Sequence, residues 1–358
     1  MRWLVLCDAD GPIIPGPLPQ GTDLLDCGSV VAEFTVPAGS GLPLTLLEYH
    51  SSLGWLRQLR ITLSAEGNVT LFHRQADTIA TVSVTLPLPA EPALFRLTYC
   101  WDATRRMSQI AAELPGRGQM AVARGSNPLP VPRQDLVALA RGDARFAPGL
   151  VWFGITGSIE RIGHIPGVIG ATPVRTPGGV RRIDSLRAGD LVDTSNHGPL
   201  PIRWIGSAEM PTRGSFAPVR LRAPFFGNRS DLIVSAQQRV VLSGAEVEYL
   251  FGEDEVVVEA GRLVDGMTAL AERRRTLVRF HSVLLDQHAL LDLDGGRVDS
   301  LFVNAGRGLR APEHGWLRDR LAPEVLAMHQ NPALPTLRGY EAATLLSMRQ
   351  QVRNPVAA

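Results

Sequence analysis

The sequence predicts a mainly β protein: an N-terminal jelly-roll-like β-sandwich, a second all-β domain, and a short helical C-terminal tail. Three observations carry this reading. Residues 1–162 alternate apolar and polar side chains over many short runs separated by Gly, Pro, Asn or Asp. Residues 163–304 continue with short apolar runs bounded by polar or glycine-containing turns. Residues 305–358 change to apolar positions near helical spacing.

In the first region the expected strands are Val30–Val36, Leu44–Tyr49, Leu59–Leu63, Val69–His73, Thr81–Leu86, Phe95–Cys100, Met107–Leu114 and Val151–Ile155. Turn sequences such as Ala65-Glu66-Gly67-Asn68 and Leu86-Pro87-Leu88-Pro89 separate them. Asp135–Arg141 reads as a short helical insert. Strands this short at such spacing suit a sandwich. The run Phe95–Asp102 followed by Met107–Leu114 resembles laminin-G or concanavalin-like jelly rolls. That resemblance implies a glycan or protein ligand for the N-terminal domain. No Asp/Asn cluster of a calcium site accompanies it.

Composition limits the chemistry. The 36 basic residues are all arginine. Without a lysine amine there is no Schiff base, no pyridoxal phosphate attachment and no Walker-type phosphate loop. With 45% hydrophobic and 20% charged residues, a sizeable core is expected and disorder is not. A net charge of +1, with arginines dispersed among acids, gives no nucleic-acid groove. Cys7, Cys27 and Cys100 form no Cys-x-x-Cys and no even set, and are expected to be idle thiols. The apolar stretch Trp3–Cys7 is too short for a signal core, and no run approaches a membrane span. A soluble protein is therefore expected, cytoplasmic by default, with export lacking an N-terminal signal as the alternative.

The second region holds the most specific pattern. It opens with Gly167-Val168-Ile169-Gly170-Ala171-Thr172-Pro173-Val174 and Thr176-Pro177-Gly178-Gly179. Then follow Ile183–Val192 with its Gly189-Asp190 step, Pro201–Gly206, Asp231–Leu242, Glu248–Gly252, Ala260–Val264, Phe280–His288 and Asp299–Phe302. In this order they resemble a bacterial-type Hint domain, the self-processing module shared by hedgehog proteins and inteins. The resemblance covers about two fifths of the chain. It implies a curved, strand-rich fold, and an activity of autoproteolysis or protein splicing that uses no cofactor and no metal.

That chemistry needs a thiol or hydroxyl to attack the preceding carbonyl, a histidine to protonate the departing nitrogen, and polar groups to hold the oxyanion. The nucleophile position of the family falls on Gly167. The histidine of its Thr/Ser-x-x-His motif falls on Gln238, three residues after Ser235. Glycine cannot attack, and glutamine has no useful acid–base group near neutrality. The reading is a Hint domain that has lost its reaction, in a chain whose remaining role is structural or adhesive. Thr172 and Thr176 are nearby hydroxyls, read as strand and turn residues. His281 and His288 are read as hydrogen-bonding histidines of a hairpin, with Asp286 and His288 on one face if that segment is a strand. Asn304, preceded by Val303 rather than histidine, is read as a loop residue. Asp292–Gly296 is read as a β-turn rather than a calcium loop. Trp316–Gln330, with Pro323 interrupting it or starting a second helix, and Tyr340–Val352 are the expected helices of the tail.

Overall fold

The structure, a computed structural model, describes residues 3–15, 24–37, 42–159, 166–303 and 323–353. The chain divides into two compact units. One comprises Met1–Gly163 and Arg213–Ser215; the other comprises His164–Thr212 and Phe216–Ala358.

The strands of the first unit are β1 (Trp3–Asp8), β2 (Gly11–Pro15), β3 (Leu24–Leu25), β4 (Cys27–Val36), β5 (Leu44–Ser51), β6 (Arg57–Leu63) and β7 (Asn68–Gln75). They continue with β8 (Thr78–Thr85), β9 (Ala93–Asp102), β10 (Met107–Leu114), β11 (Gln119–Ser126), β12 (Val131–Pro132), β13 (Arg145–Phe146) and β14 (Leu150–Thr156). Two antiparallel sheets dominate, ordered β11-β10-β9-β4-β14-β1-β2 and β13-β5-β6-β7-β8. They share one core. Val30, Ala32 and Phe34 from β4 and Phe95, Leu97 and Tyr99 from β9 meet Leu59, Ile61 and Leu63 from β6. The strict alternation of β6, buried at Arg57, Leu59, Ile61 and Leu63, is the pattern of a strand with one face in the core. This is the β-sandwich expected from the sequence. Helix α1 (Arg133–Arg141) packs Leu136 and Leu139 into the same core and ends at Gly142 in the left-handed conformation.

The second unit contains β15 (Val168–Ile169), β16 (Pro173–Thr176), β17 (Gly179–Arg182), β18 (Leu191–Thr194), β19 (Gly198–Pro211), β20 (Val219–Leu221) and β21 (Leu232–Val234). After these come β22 (Arg239–Ser243), β23 (Glu255–Glu259), β24 (Ala269–Ala271), β25 (Leu277–Leu285), β26 (Leu290–Leu293) and β27 (Gly296–Asp299). One antiparallel sheet runs β23-β22-β27-β26-β18-β19-β25-β15-β21-β20-β24. Its long strand β19 pairs with β18 near its start and with β25 along most of its length, and the register shifts between Ile202 and Trp204. Such an irregularity bends a strand. The sheet curls around a core that includes Val168, Val192, Ile202, Val234, Val258, Val283 and Leu293.

The helices of this unit are α2 (Ala245–Phe251), α3 (Pro323–Met328) and α4 (Gly339–Arg353). The tail is part of the unit. Leu337, Ala342 and Leu345 enter its core, and residues 335 and 337 hydrogen-bond Val257 on both sides of a parallel bridge to Thr336. Proline at the first position of α3 suits a helix start, since its missing N–H has no intrahelical partner there. The expected helix at Trp316–Gln330 lies outside the described residues as far as 322, as do Asn304 and the first part of the expected linker Ile162–Ile169. No helix among the described residues is long and apolar enough to cross a membrane.

Candidate functional site

The site is built around the peptide bond between Pro166 and Gly167. Strand β15 is short but bonded on both edges: Val168 pairs with Val234 of β21 and with His281 of β25. Val168 is buried, as a β-branched residue in a doubly flanked strand should be. This pairing holds Gly167 against β25. A Cβ at Gly167 would lie 2.7 Å from the His281 carbonyl oxygen, 3.1 Å from its carbonyl carbon and 3.1 Å from the Phe280 Cβ. Two of these neighbours are backbone of a paired strand, so a side chain at 167 requires β25 to move.

The flanking carbonyls are both engaged. The buried Ser282 hydroxyl donates to the Pro166 oxygen, and the Ser235 amide donates to the Gly167 oxygen at 2.8 Å. A donor on the Pro166 carbonyl is the arrangement that steadies an oxyanion during attack. The Ser235 hydroxyl is buried and has no hydrogen-bond partner among the described residues, so no base stands ready to take its proton.

Gln238 occupies the end of a turn whose amide donates to the Ser235 carbonyl. Its side chain is buried and its amide nitrogen donates to the Asp299 carbonyl oxygen and Oδ1, both at 2.9 Å. Asp299 Oδ2 is 3.1 Å from His288 Nε2 and accepts from Arg239 Nη1 at 3.3 Å. His288 Nδ1 accepts from the Ala333 amide at 2.7 Å, which fixes the ring proton on Nε2, directed at Asp299. Gln238, Asp299 and His288 thus form one closed relay, and the tail supplies its last donor. Pro166, Gln238, His281, Ser282 and Asp299 line a cavity of about 10 Å³, room for one water molecule.

His281 lies on the other side. Burial lowers its pKa; Asp184 opposes the shift and Arg279 adds to it. Asp184 and His281 converge at Gly170, where a Cβ would stand 2.9 Å from Asp184 Oδ2 and 3.1 Å from His281 Nε2. The Arg182 hydrogen bond holds the exposed Asp184 carboxyl below its ordinary range.

The structure therefore brings Gly167, Ser235, Gln238 and His281 together, with His288 joined through Asp299. Thr172 and Thr176 hold turns. The Thr172 amide and carbonyl bond Ile169 and Ile183, and the Thr176 hydroxyl donates to Gly179 across the β16–β17 hairpin. One expectation is corrected. Strand β25 ends at Leu285, so Asp286 and His288 share no strand face: Asp286 pairs with Arg203, and His288 turns to Asp299. Asp292–Gly296 is the β26–β27 turn, with Asp294 and Gly295 at positive φ, as a two-residue hairpin loop requires. Ser282 and Asp299 were within matched motifs, yet no spacing assigns them partners 116 and 61 residues away. Cys7 and Cys100 are buried in the sandwich, and burial pushes the Cys7 thiol up to about 12.

A family model described as Hint domain matches residues 167–305, beginning at Gly167 itself. The chain carries a Hint domain. Solved structures similar to this chain include the MchDnaB-1 intein (N145AA), at 15% identity and a TM-score of 0.27, covering 37% of this chain and 99% of that one. The LG1-3 region of the laminin alpha2 chain is similar at 12% identity and a TM-score of 0.28, covering 86% of this chain and 60% of that one. The CBM40 of Ruminococcus gnavus IT-sialidase is similar at 11% identity and a TM-score of 0.26, over 39% of this chain and 81% of that one. No curated protein matches the chain.

Proposed function

We propose that the Hint domain of this protein is a scaffold that leaves the Pro166–Gly167 bond intact, and that the chain acts as a structural or adhesive protein whose sandwich binds a glycan. The observation that carries the first half is the approach at Gly167, where a Cβ would stand 2.7 Å from backbone oxygen. Loss of a nucleophile by substitution alone would leave its space behind. Here β25 fills that space, and Gln238 is bonded into the Asp299 relay rather than aimed as a proton donor. The tail supports the same reading. The Val303 amide donates to His329 Nδ1, and residues 333–337 bond His288 and Val257, so residues 329–337 are folded onto the domain.

Intact-mass spectrometry of the full chain, with and without hydroxylamine, tests this. One species at 38.7 kDa in both samples is expected. Fragments meeting near residue 167 would overturn the reading. The double variant Gly167→Cys with Gln238→His is expected to stay uncleaved as well, because the new side chain at 167 meets the β25 backbone and disturbs the β15–β25 pairing that holds the Pro166–Gly167 bond.

A further inference from the structure

The sandwich unit contains a second built site. Residue pairing places it. Arg57 at the start of β6 pairs with Gln75 at the end of β7, so the β5–β6 loop and the β7–β8 turn lie at one end of the smaller sheet. The first turn of α1 reaches the same end, and between them lies a cavity of about 840 Å³. That volume is in the range of small-molecule sites. Trp55, Gln75, Thr78, Leu129, Arg133 and Gln134 are among its lining residues.

Trp55 is an aromatic ring on a loop, 44% exposed, where an ungoverned side chain would be mobile. It is not ungoverned. Arg57 lies beneath it, 2% exposed, with its guanidinium 4.8 Å from the centre of the indole. Its Nη1 donates to the carbonyls of Leu53 and Trp55, its Nη2 to the Ser51 hydroxyl, and its Nε to Asp135. With its amide oriented to suit these donors, Gln134 accepts from Arg57 through its side-chain oxygen, at 3.0 Å from Nη1 and 3.2 Å from Nη2. Tyr49 donates to Asp135 at 2.7 Å, which completes that acid's environment. Burying an arginine is costly unless every donor is used. Here most of the donors go to the loop that displays Trp55 and to the helix turn that displays Gln134. The result is a preorganised ring edged by amides and a hydroxyl, the chemistry that stacks on a pyranose face and reads its hydroxyls.

One charge selects among saccharides. Arg133 is the charged residue among those lining the cavity, and it has no ion-pair partner among the described residues. A guanidinium with no carboxylate beside it among the described residues, in a concave, partly apolar site, suits a ligand carboxylate, which it can hold through two parallel hydrogen bonds. We infer that this cavity binds a carboxylated saccharide, with Trp55 as the stacking platform and Arg133 as the carboxylate anchor. The inference rests on the reading of the sandwich as a glycan binder and adds the place and the class of sugar.

Isothermal titration of the full chain with three matched pairs tests it: sialyllactose, trigalacturonate and glucuronate, each beside its own fully methyl-esterified form. At least one acidic member is expected to bind, and its neutral counterpart to bind about tenfold more weakly or not at all. Trp55→Ala should weaken both members of the pair, whereas Arg133→Gln should weaken only the acidic one. Thr78→Tyr, which fills the cavity from an exposed position without touching Arg57, should abolish binding with an unchanged far-ultraviolet circular dichroism spectrum. Binding that survives Thr78→Tyr and Arg133→Gln would place the ligand elsewhere and overturn the site while leaving the glycan reading intact. Equal affinity for both members of every pair would overturn the acidic class. Absence of binding by all six sugars at about 10 mM, far above useful affinity, would overturn the glycan reading together with the site.

Discussion

Two buried polar networks, one from each unit, do opposite things. In the sandwich, Arg57, Asp135 and Tyr49 lie under a cavity of about 840 Å³ and keep an exposed tryptophan in place at its edge. In the Hint domain, Gln238, Asp299 and His288 lie beside a cavity of about 10 Å³ and close it. A buried polar group must be satisfied wherever it stands. What differs is where the donors point. Arg57 directs its donors outward, to the carbonyls of a surface loop. Gln238 directs its amide inward, to the residue that already anchors His288. The first arrangement preserves a concave surface; the second ties Gln238 and His288 to one buried carboxylate.

The sharpest test of this contrast is Asp135→Ala. It leaves Arg57 charged and buried without its carboxylate, which is expected to cost about 3–5 kcal/mol. Equilibrium denaturation gives the magnitude, and native-state hydrogen exchange at the amides of β5 and β6 gives the place. A loss below about 1 kcal/mol, the scale of an exposed pair, would mean that Arg57 finds water instead and that the network does not organise the loop.

How far these features were legible follows from their range in sequence. Strand β10 matches the expected bounds, because Met107–Leu114 lies between clear turn residues. Strand β11 went unread: Gln119–Ser126 has two alanines, an arginine and a glycine, and it is paired through β10 rather than through any β propensity of its own. Strand β2 was hidden by Pro12 and Pro15, which suit an edge position, and β2 stands at the sheet edge. Gly167 and Gln238 were visible because a motif assigns their positions. The obstruction by β25 was not, since it depends on Val168 pairing with His281, 113 residues away. The sandwich cavity had no motif at all. Its parts come from the β5–β6 loop, the β7–β8 turn and α1, and a lone tryptophan in a loop has no period to betray it.

The second test is pH. His73 of β7 is buried, and burial lowers its pKa from 6.5 to about 4. The folded chain therefore keeps this ring neutral down to about pH 4, while the unfolded chain takes up the proton near 6.5. Between these values the unfolded state binds more protons, so stability falls as pH drops through that window. The total loss from this residue is expected to be about 3 kcal/mol. His73→Phe should remove that part of the acid dependence. The remainder is expected from the Hint domain, where burial also lowers His281 and His329. An unchanged pH slope in His73→Phe would refute the assignment.

The smallest expected effect distinguishes a relay from mere packing. Asp299→Ala removes the acceptor of His288 Nε2 and one acceptor of Gln238, for about 1–3 kcal/mol, less than Asp135→Ala because Arg239 retains partial access to water. Asp299→Asn is the more telling change. Its shape is conserved, but Oδ1 faces the Gln238 amide and Oδ2 faces both His288 and Arg239, so the new NH₂ meets a donor in either orientation. The ring cannot adapt by moving its proton to Nδ1, because Nδ1 already accepts from the Ala333 amide. Asparagine is therefore expected to be nearly as damaging as alanine. Nitrogen-15 spectra of His288 should show a protonated Nε2 and a bare Nδ1. If Asp299→Asn unfolds at the same denaturant concentration as the natural chain, the carboxylate is not the common acceptor of this network, and Gln238 is free to serve another role beside Pro166.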